Sequence, residues 1–184
     1  MTSISDILVT PELRQRAVRA SDPAAEMALT RTFGRLLGSE AASVYRTLCS
    51  EAKQRCQAQS AGVSIFEPDP LDELTWVAVE GTLANFEGGR FPRRNSMCGV
   101  CLEHRSPQLF ANPHTFFSWL QATGHPVTEG LVVPLFNRQQ SLVGTLWVMN
   151  HDRQQPFDQG DADTLVRLSS YAAISLDLNA QSGA

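Results

Sequence analysis

Two neighbouring stretches decide the fold: Gly130-Leu131-Val132-Val133-Pro134-Leu135-Phe136, and Leu142-Val143-Gly144-Thr145-Leu146-Trp147-Val148-Met149-Asn150. Both are apolar runs of strand length, rich in β-branched and aromatic residues. Five polar residues, Asn137 to Ser141, separate them, which predicts an antiparallel hairpin.

Working outward, Phe157 is followed by Asp158, a helix N-cap, with Asp161 in the first turn where negative charge suits the helix dipole. Leu165, Leu168, Ala172 and Leu176 then give one buried stripe. Upstream, Ala61, Val63 and Ile65 alternate with Gly62, Ser64 and Phe66 as a strand, which Pro68-Asp69-Pro70 breaks. Leu74 to Glu80 reads as a second strand, with Thr75, Val77 and Val79 on one face. Gly81 to Asn95 reads as a long irregular loop. A short helix is expected from Ser96 to His104, then a short apolar stretch, Gln108 to Ala111, and an aromatic-rich turn, His114 to Gln121. From Ser39 the positions Ala41, Val44, Tyr45, Leu48, Cys49, Ala52 and Cys56 keep helical spacing. Two more helix starts are signalled at Thr10-Pro11-Glu12 and Asp22-Pro23. The second continues through Leu29, Phe33, Leu36 and Leu37 to a stop at Gly38.

The expected fold is therefore α+β: a central antiparallel sheet of about six strands, helices packed on one face, and a loop and short-helix segment over the other. Residues 1–38 form an N-terminal helical extension, 39–178 the domain, and 179–184 a frayed tail. The chain has 184 residues, 42% of them hydrophobic, with 18% charged and a net charge of −4. A mildly acidic chain has no general attraction for nucleic acid or anionic lipid. No apolar run is long enough to span a bilayer, and Met1 to Thr10 lacks the pattern of a secretory signal. Four cysteines, at 49, 56, 98 and 101, suit reduced thiols and a cytoplasmic location.

Several stretches resemble the GAF family of bacterial signalling domains. They are Ser96-Met97-Cys98-Gly99-Val100-Cys101-Leu102, Glu129-Gly130-Leu131-Val132-Val133-Pro134-Leu135, Leu142 to Val148, and His151-Asp152 followed by Phe157-Asp158-Gln159-Gly160-Asp161. The similarity is greatest to GAF domains beside histidine kinases and cyclases. It implies a sensory or regulatory role, a pocket on one sheet face, dimerisation through the terminal helices, and a kinase or cyclase as possible partner. Fold alone does not name a ligand.

The segment from Phe91 to Trp119 must cross the non-helical face. It carries Phe91, Ser96, Cys98, Cys101, Phe116 and Trp119 towards one cavity. Leu131, Val133, Thr145 and Trp147 complete the candidate pocket, although alternation lets only about half of the strand residues serve it. Arg90, Arg93 and Arg94 offer contacts for an anion, with a solvated loop the favoured reading. His114, Phe116, Phe117, Trp119 and His125 offer a wall for a flat ligand, or a hydrophobic lid.

No catalytic arrangement is recognisable, so an enzyme is not expected. Cys98-Gly99-Val100-Cys101 has redox-pair spacing, but the buried side of a short helix explains it better. Cys98, Cys101 and His104 stretch roughly 9 Å along a helix, too far to converge on zinc. A bilin-attachment cysteine in related domains is followed directly by histidine, whereas Leu102 follows Cys101. Haem is disfavoured as well. The enzymatic alternative, free methionine-R-sulfoxide reductase, keeps its catalytic cysteine ahead of the Val-Pro-Leu strand, where this chain reads Ala122-Thr123-Gly124-His125-Pro126-Val127. A ligand-free dimerisation adaptor is the other alternative. Of the Asn-Lys…Phe-x3-Asp-Glu signature in cyclic-nucleotide GAF domains, Asn150, Phe157 and Asp161 remain. His151 could then replace the signature's lysine as partner of Asp161.

Overall fold

A computed structural model of the chain describes residues 3–19, 23–36, 39–66, 72–137, 139–152 and 155–182. The expectations for Asp22, Leu37, Gly38 and Pro68-Asp69-Pro70 lie outside the described residues, as does the side chain of Leu176.

The central hairpin forms as expected, as strands β5 (Glu129–Phe136) and β6 (Leu142–Asn150), which pair antiparallel. β1 (Ser60–Phe66) lies on the other side of β6, and β2 (Glu73–Gly81) lies beyond it. The edges are β3 (Arg90–Pro92) and β4 (Gln108–Ala111), completing a six-stranded antiparallel sheet in the order β3-β2-β1-β6-β5-β4. β3 falls within the stretch read as irregular loop. A three-residue edge strand ending in proline carries too little periodicity to announce itself.

Of the helices, α1 (Ile4–Ile7), α2 (Pro23–Arg35) and α3 (Ala41–Arg55) precede the sheet. Then come α4 (Met97–His104), α5 (Ser118–Gln121) and α6 (Gln159–Ser182). Helix α6 includes residues 179–182, assigned from the sequence to the tail. It begins with a reciprocal cap: the Asp161 backbone N–H donates to Asp158 Oδ1 at 3.2 Å, and the Asp158 N–H to Asp161 Oδ2 at 2.9 Å.

The sheet divides the interior into two cores. On one face Leu29 and Phe33 of α2, Val44, Leu48 and Cys49 of α3, and Leu165, Leu168 and Ala172 of α6 pack on Ala61, Val63, Leu131, Val133, Leu146 and Val148. On the other, α4, α5 and their flanking segments pack on Trp76, Val132, Trp147 and Met149. The face expected for β2 requires correction. Val63 pairs with Ala78 but Ser64 with Trp76, so Val77 is a bulged extra residue. The bulge breaks the period of two, leaving Val77 against the helix-side core while Val79 packs on the opposite side.

The N-terminal segment is tied across both layers. Ile7 is buried on the α4 side and Leu13 on the helix side. Leu8 bridges Phe110 on edge strand β4, and the Val9 N–H donates to the Leu109 carbonyl at 2.8 Å. This covers part of an otherwise open sheet edge.

Candidate functional site

Sequence reasoning places the site between the sheet and the α4 side. That space holds an aromatic cluster built by the chain itself. The Trp147 ring lies 4.6 Å from that of Trp76, which lies 4.2 Å from Phe91 and 6.0 Å from Trp119. Phe91 and Trp119 are 5.0 Å apart. Trp76 and Trp147 are almost wholly buried, at 1% and 0% exposure. Pairs at such separations add to the stabilisation from their burial.

Gly62 makes this packing possible. A Cβ on it would sit 2.1 Å from Trp147 Cζ2, so only glycine lets the indole lie against β1. The Trp147 Nε1–H donates to Ser64 Oγ at 2.9 Å, and Ser64 Oγ lies 3.6 Å from Cys98 Sγ. Beside Cys98 sits the buried hydroxyl of Thr145, close enough to act on the thiol but without a hydrogen bond of ordinary geometry. Burial pushes the Cys98 thiol up, against the lowering pull of Thr145 and Ser64.

Ser96 caps α4, accepting from the Gly99 N–H at 3.0 Å and donating to the Arg93 carbonyl at 2.7 Å. Cys101 turns away from Ser64, with its thiol towards the Ser106 and Val132 carbonyls at 3.4 and 3.5 Å. Burial holds this thiol well above its ordinary pKa. Cys49 is pushed up to about 12 by burial, and Cys56 is also raised by burial. A thiolate is the reactive species, so all four thiols are held in their inert form. The native protein should therefore react with an aromatic disulfide reagent at well under one thiol per chain within minutes, and at all four once unfolded. Fast labelling of Cys98 in the native state would contradict this burial.

The candidate pocket residues divide as follows. Phe91, Ser96, Cys98, Cys101, Trp119, Thr145 and Trp147 share the α4 side of the sheet. Phe116 reaches it only from the rim, stacking edge-on against the fully buried Phe117 at 5.0 Å. Leu131 and Val133 do not belong with them. Val132, not Leu131 or Val133, pairs with Trp147, so Leu131 and Val133 face the helices. The residues missed are Trp76 and Met97, both fully buried in this core, where Phe117 of the aromatic-rich segment is buried as well. The period-two spacing of Leu74 and Trp76 was the available signal for the first.

The proposed His151–Asp161 pairing is also corrected. Arg19, from the N-terminal segment, pairs with Asp161 and with Asp158 at 3.2 Å. Arg16 pairs with the buried Glu129 at 2.8 Å, and Glu129 also accepts from the Phe157 N–H at 2.6 Å. His151 instead contacts Ser60 and Pro126. The arginines of the β3 region are engaged with acids: Arg90 with Glu73 at 2.9 Å, and Arg93 and Arg94 with Asp72 at 3.3 and 2.9 Å.

Clefts also lie away from the aromatic cluster, among them one of about 270 Å³ bordered by Arg46, Ser50, Glu80 and Glu87. A second of about 250 Å³ is bordered by Asn112, Thr128, Glu129, Asn150 and Asp152. Another of about 420 Å³ lies between the β5–β6 hairpin and α6, bordered by Phe136, Gln140, Ser169, Ala173 and Ile174. Among the described residues, no group of three or more His, Cys, Asp or Glu could hold a metal ion. No described helix is long and apolar enough to cross a membrane.

A family model described as "GAF domain" matches residues 38–177. No curated protein matches the chain. Among solved structures, the chain is similar to the GAF-B domain of DevS from Mycobacterium smegmatis, with 22% identity, a TM-score of 0.64, and coverage of 78% of this chain and 97% of that one. It is similar to free methionine-R-sulfoxide reductase from Neisseria meningitidis, with 20% identity, a TM-score of 0.66, and coverage of 90% and 97%. It is also similar to the GAF domain of a phosphoenolpyruvate-protein phosphotransferase from Coxiella burnetii, with 15% identity, a TM-score of 0.71, and coverage of 89% and 99%. At these identities the structural likeness concerns the fold.

Proposed function

The chain belongs to the GAF domain family, and we propose that it is a regulatory module which relays a signal as a homodimer through its terminal helices. The observation that carries this reading is the apolar surface left on those helices. Val166 and Ile174 of α6 are 40% and 42% exposed, and Met27 of the neighbouring α2 is 61% exposed. Val166, Ala173 and Ile174 are spaced i, i+7 and i+8, which gathers them on one side of the helix. The 420 Å³ cleft borders the same stretch and offers room for side chains of a second copy. An isologous pair would bury α6 against itself, and apolar helical surface of this kind marks interfaces.

The two helices are mechanically joined to the domain. Phe33 of α2 stacks on Tyr171 of α6 at 5.2 Å, and Thr30 Oγ1 lies 2.9 Å from the Tyr171 hydroxyl. A shift of the sheet would therefore be felt along α6 and α2 together. A cytoplasmic location and a kinase or cyclase as the downstream partner belong to the same proposal.

Catalysis is not part of it. Sulfoxide reduction needs a thiolate that can reach substrate, and Cys98 is 5% exposed with its thiol held protonated by burial. A second reading, in which a small flat ligand displaces part of the aromatic cluster, is favoured by the buried Thr145 hydroxyl beside Cys98, which makes no hydrogen bond of ordinary geometry. Sedimentation across a concentration series tests the dimer. The wild type should sediment as a dimer, and Val166→Glu with Ile174→Glu should weaken association at least tenfold without unfolding the domain.

A further inference from the structure

The first turn of α6 is held from outside the helix, by residues 3–19 at the other end of the chain. Arg16 Nη1 donates to the Phe157 carbonyl at 2.6 Å, while Glu129, with which Arg16 pairs, takes the Phe157 N–H. Both backbone groups of the residue before the α6 N-cap are thus fixed through Arg16. Arg19 then bridges the two carboxylates of the reciprocal cap. Its backbone N–H and its Nε reach Asp158 Oδ2 at 3.0 and 3.2 Å, and its Nη2 reaches Asp161 Oδ2. Asp158 and Asp161 are 3% and 5% exposed. Adjacent carboxylates so deeply placed are stabilised by a shared cation, and removing it leaves buried charges unpaired. Val18 lies against the same turn: a Cβ on Gly160 would sit 3.1 Å from Val18 Cγ1.

The other end of the segment is seated on edge strand β4. Thr10 Oγ1 donates to Gln108 Oε1 and accepts from the Leu109 N–H, both at 3.0 Å, beside the contacts that Leu8 and Val9 make with the same strand. Between these attachments the segment is lightly held. Of residues 3–19, only Ile7 and Leu13 are buried. The side chains of Arg16 and Arg19 keep 21% and 30% of their surface exposed. A segment with so few buried apolar contacts belongs to the low-stability end of a fold and can unseat without global unfolding. The acids it neutralises are buried, so its departure falls hardest on the receiving side.

We infer that residues 3–19 are a strap whose seating sets the first turn of α6, with Arg19 as the positioning residue that carries the state of the strap to the helix. Seated, the strap neutralises Asp158 and Asp161 and fixes Phe157. Unseated, it leaves two buried carboxylates without their counter-charge, and the turn must open to hydrate them. The coupling is reciprocal, so whatever loosens the turn loosens the strap by the same free energy. The inference rests on the proposed pairing only in taking α6 as the output helix.

Hydrogen–deuterium exchange of the full chain tests the strap, read at residues 157–163 and, for the centre of the sheet, at residues 60–66. Arg19→Gln should lower protection at 157–163 by about tenfold or more, the effect of stranding buried charge. Thr10→Val, which removes the hydroxyl bonded to β4, should lower it at 157–163 by roughly threefold, through the hydrogen bonds that seat the far end of the strap. Protection at 60–66 should hold in both. Unchanged protection at 157–163 in either variant would overturn the strap; in Thr10→Val it would reduce Arg19 to a local ion pair. An equal loss at 60–66 would overturn it too, as global destabilisation. Should Arg19→Gln fail to fold, Thr10→Val decides alone by the same two peptides. Exchange reads the turn in monomer and dimer alike, so a wild type that sediments as a monomer would sink the pairing and leave this test standing.

Discussion

Gly62→Ala should cost about 3 kcal/mol of stability, towards the upper part of the range for overpacked cores. A single methyl has this effect because its carbon would sit 2.1 Å from Cζ2, 2.6 Å from Cε2 and 2.6 Å from Cη2 of Trp147. The clash is with the body of a rigid ring, not the end of a flexible chain. The indole has nowhere to retreat, since it packs on Trp76 at 4.6 Å and is tethered through Nε1 to Ser64. Alanine ordinarily suits a strand better than glycine, so local propensity predicts the opposite sign. Chemical denaturation reads the difference: a loss of a few kcal/mol supports the packing described, and an unchanged or higher midpoint contradicts it. Total stabilities of about 5–15 kcal/mol make such a loss visible at once.

Trp147→Ala should act from the other side of the same contact, with a loss of about 3–5 kcal/mol, as for other buried Trp or Phe truncations. Removing the indole opens a void bounded by Trp76, Gly62 and Cys98, and it takes away the donor to Ser64. The void is mainly apolar, so it should take up a flat apolar guest. Free indole is the matched probe. It should raise the melting temperature of Trp147→Ala in a concentration-dependent way and leave the wild type unchanged. A wild-type response equal to that of the variant would mean the cluster already admits a ligand, and would favour the ligand-binding reading over a ligand-independent relay.

How much of this was legible beforehand depended on the range over which each pattern acts. The central hairpin, the α3 stripe from Val44 to Cys56 and the capped start of α6 are local, and local periodicity shows them. Leu131 and Val133 were misplaced for a different reason. Alternation tells which residues of one strand share a face, but only register between strands tells which face is which. Here Val132 opposes Trp147. The bulge at Val77 interrupts a period that the residue types alone continue without a break. Glu129, which pairs with Arg16, and the partners of Arg19 and His151 lie roughly 25 to 140 residues away along the chain, where no spacing rule applies. Trp119 stands out in a segment that must cross the sheet, whereas Trp76 lies between the β-branched Thr75 and Val77 in a strand whose period the bulge interrupts.

The proposed pairing of two chains through α6 is tested most directly by sedimentation equilibrium over a hundredfold range of concentration. The wild type should show a mass of two chains, near twice 20.2 kDa, at the upper concentrations, shifting towards one chain in Val166→Glu/Ile174→Glu while circular dichroism stays unchanged. A wild-type protein that remains at 20.2 kDa throughout, or a double variant that dimerises as well as the wild type, would contradict it.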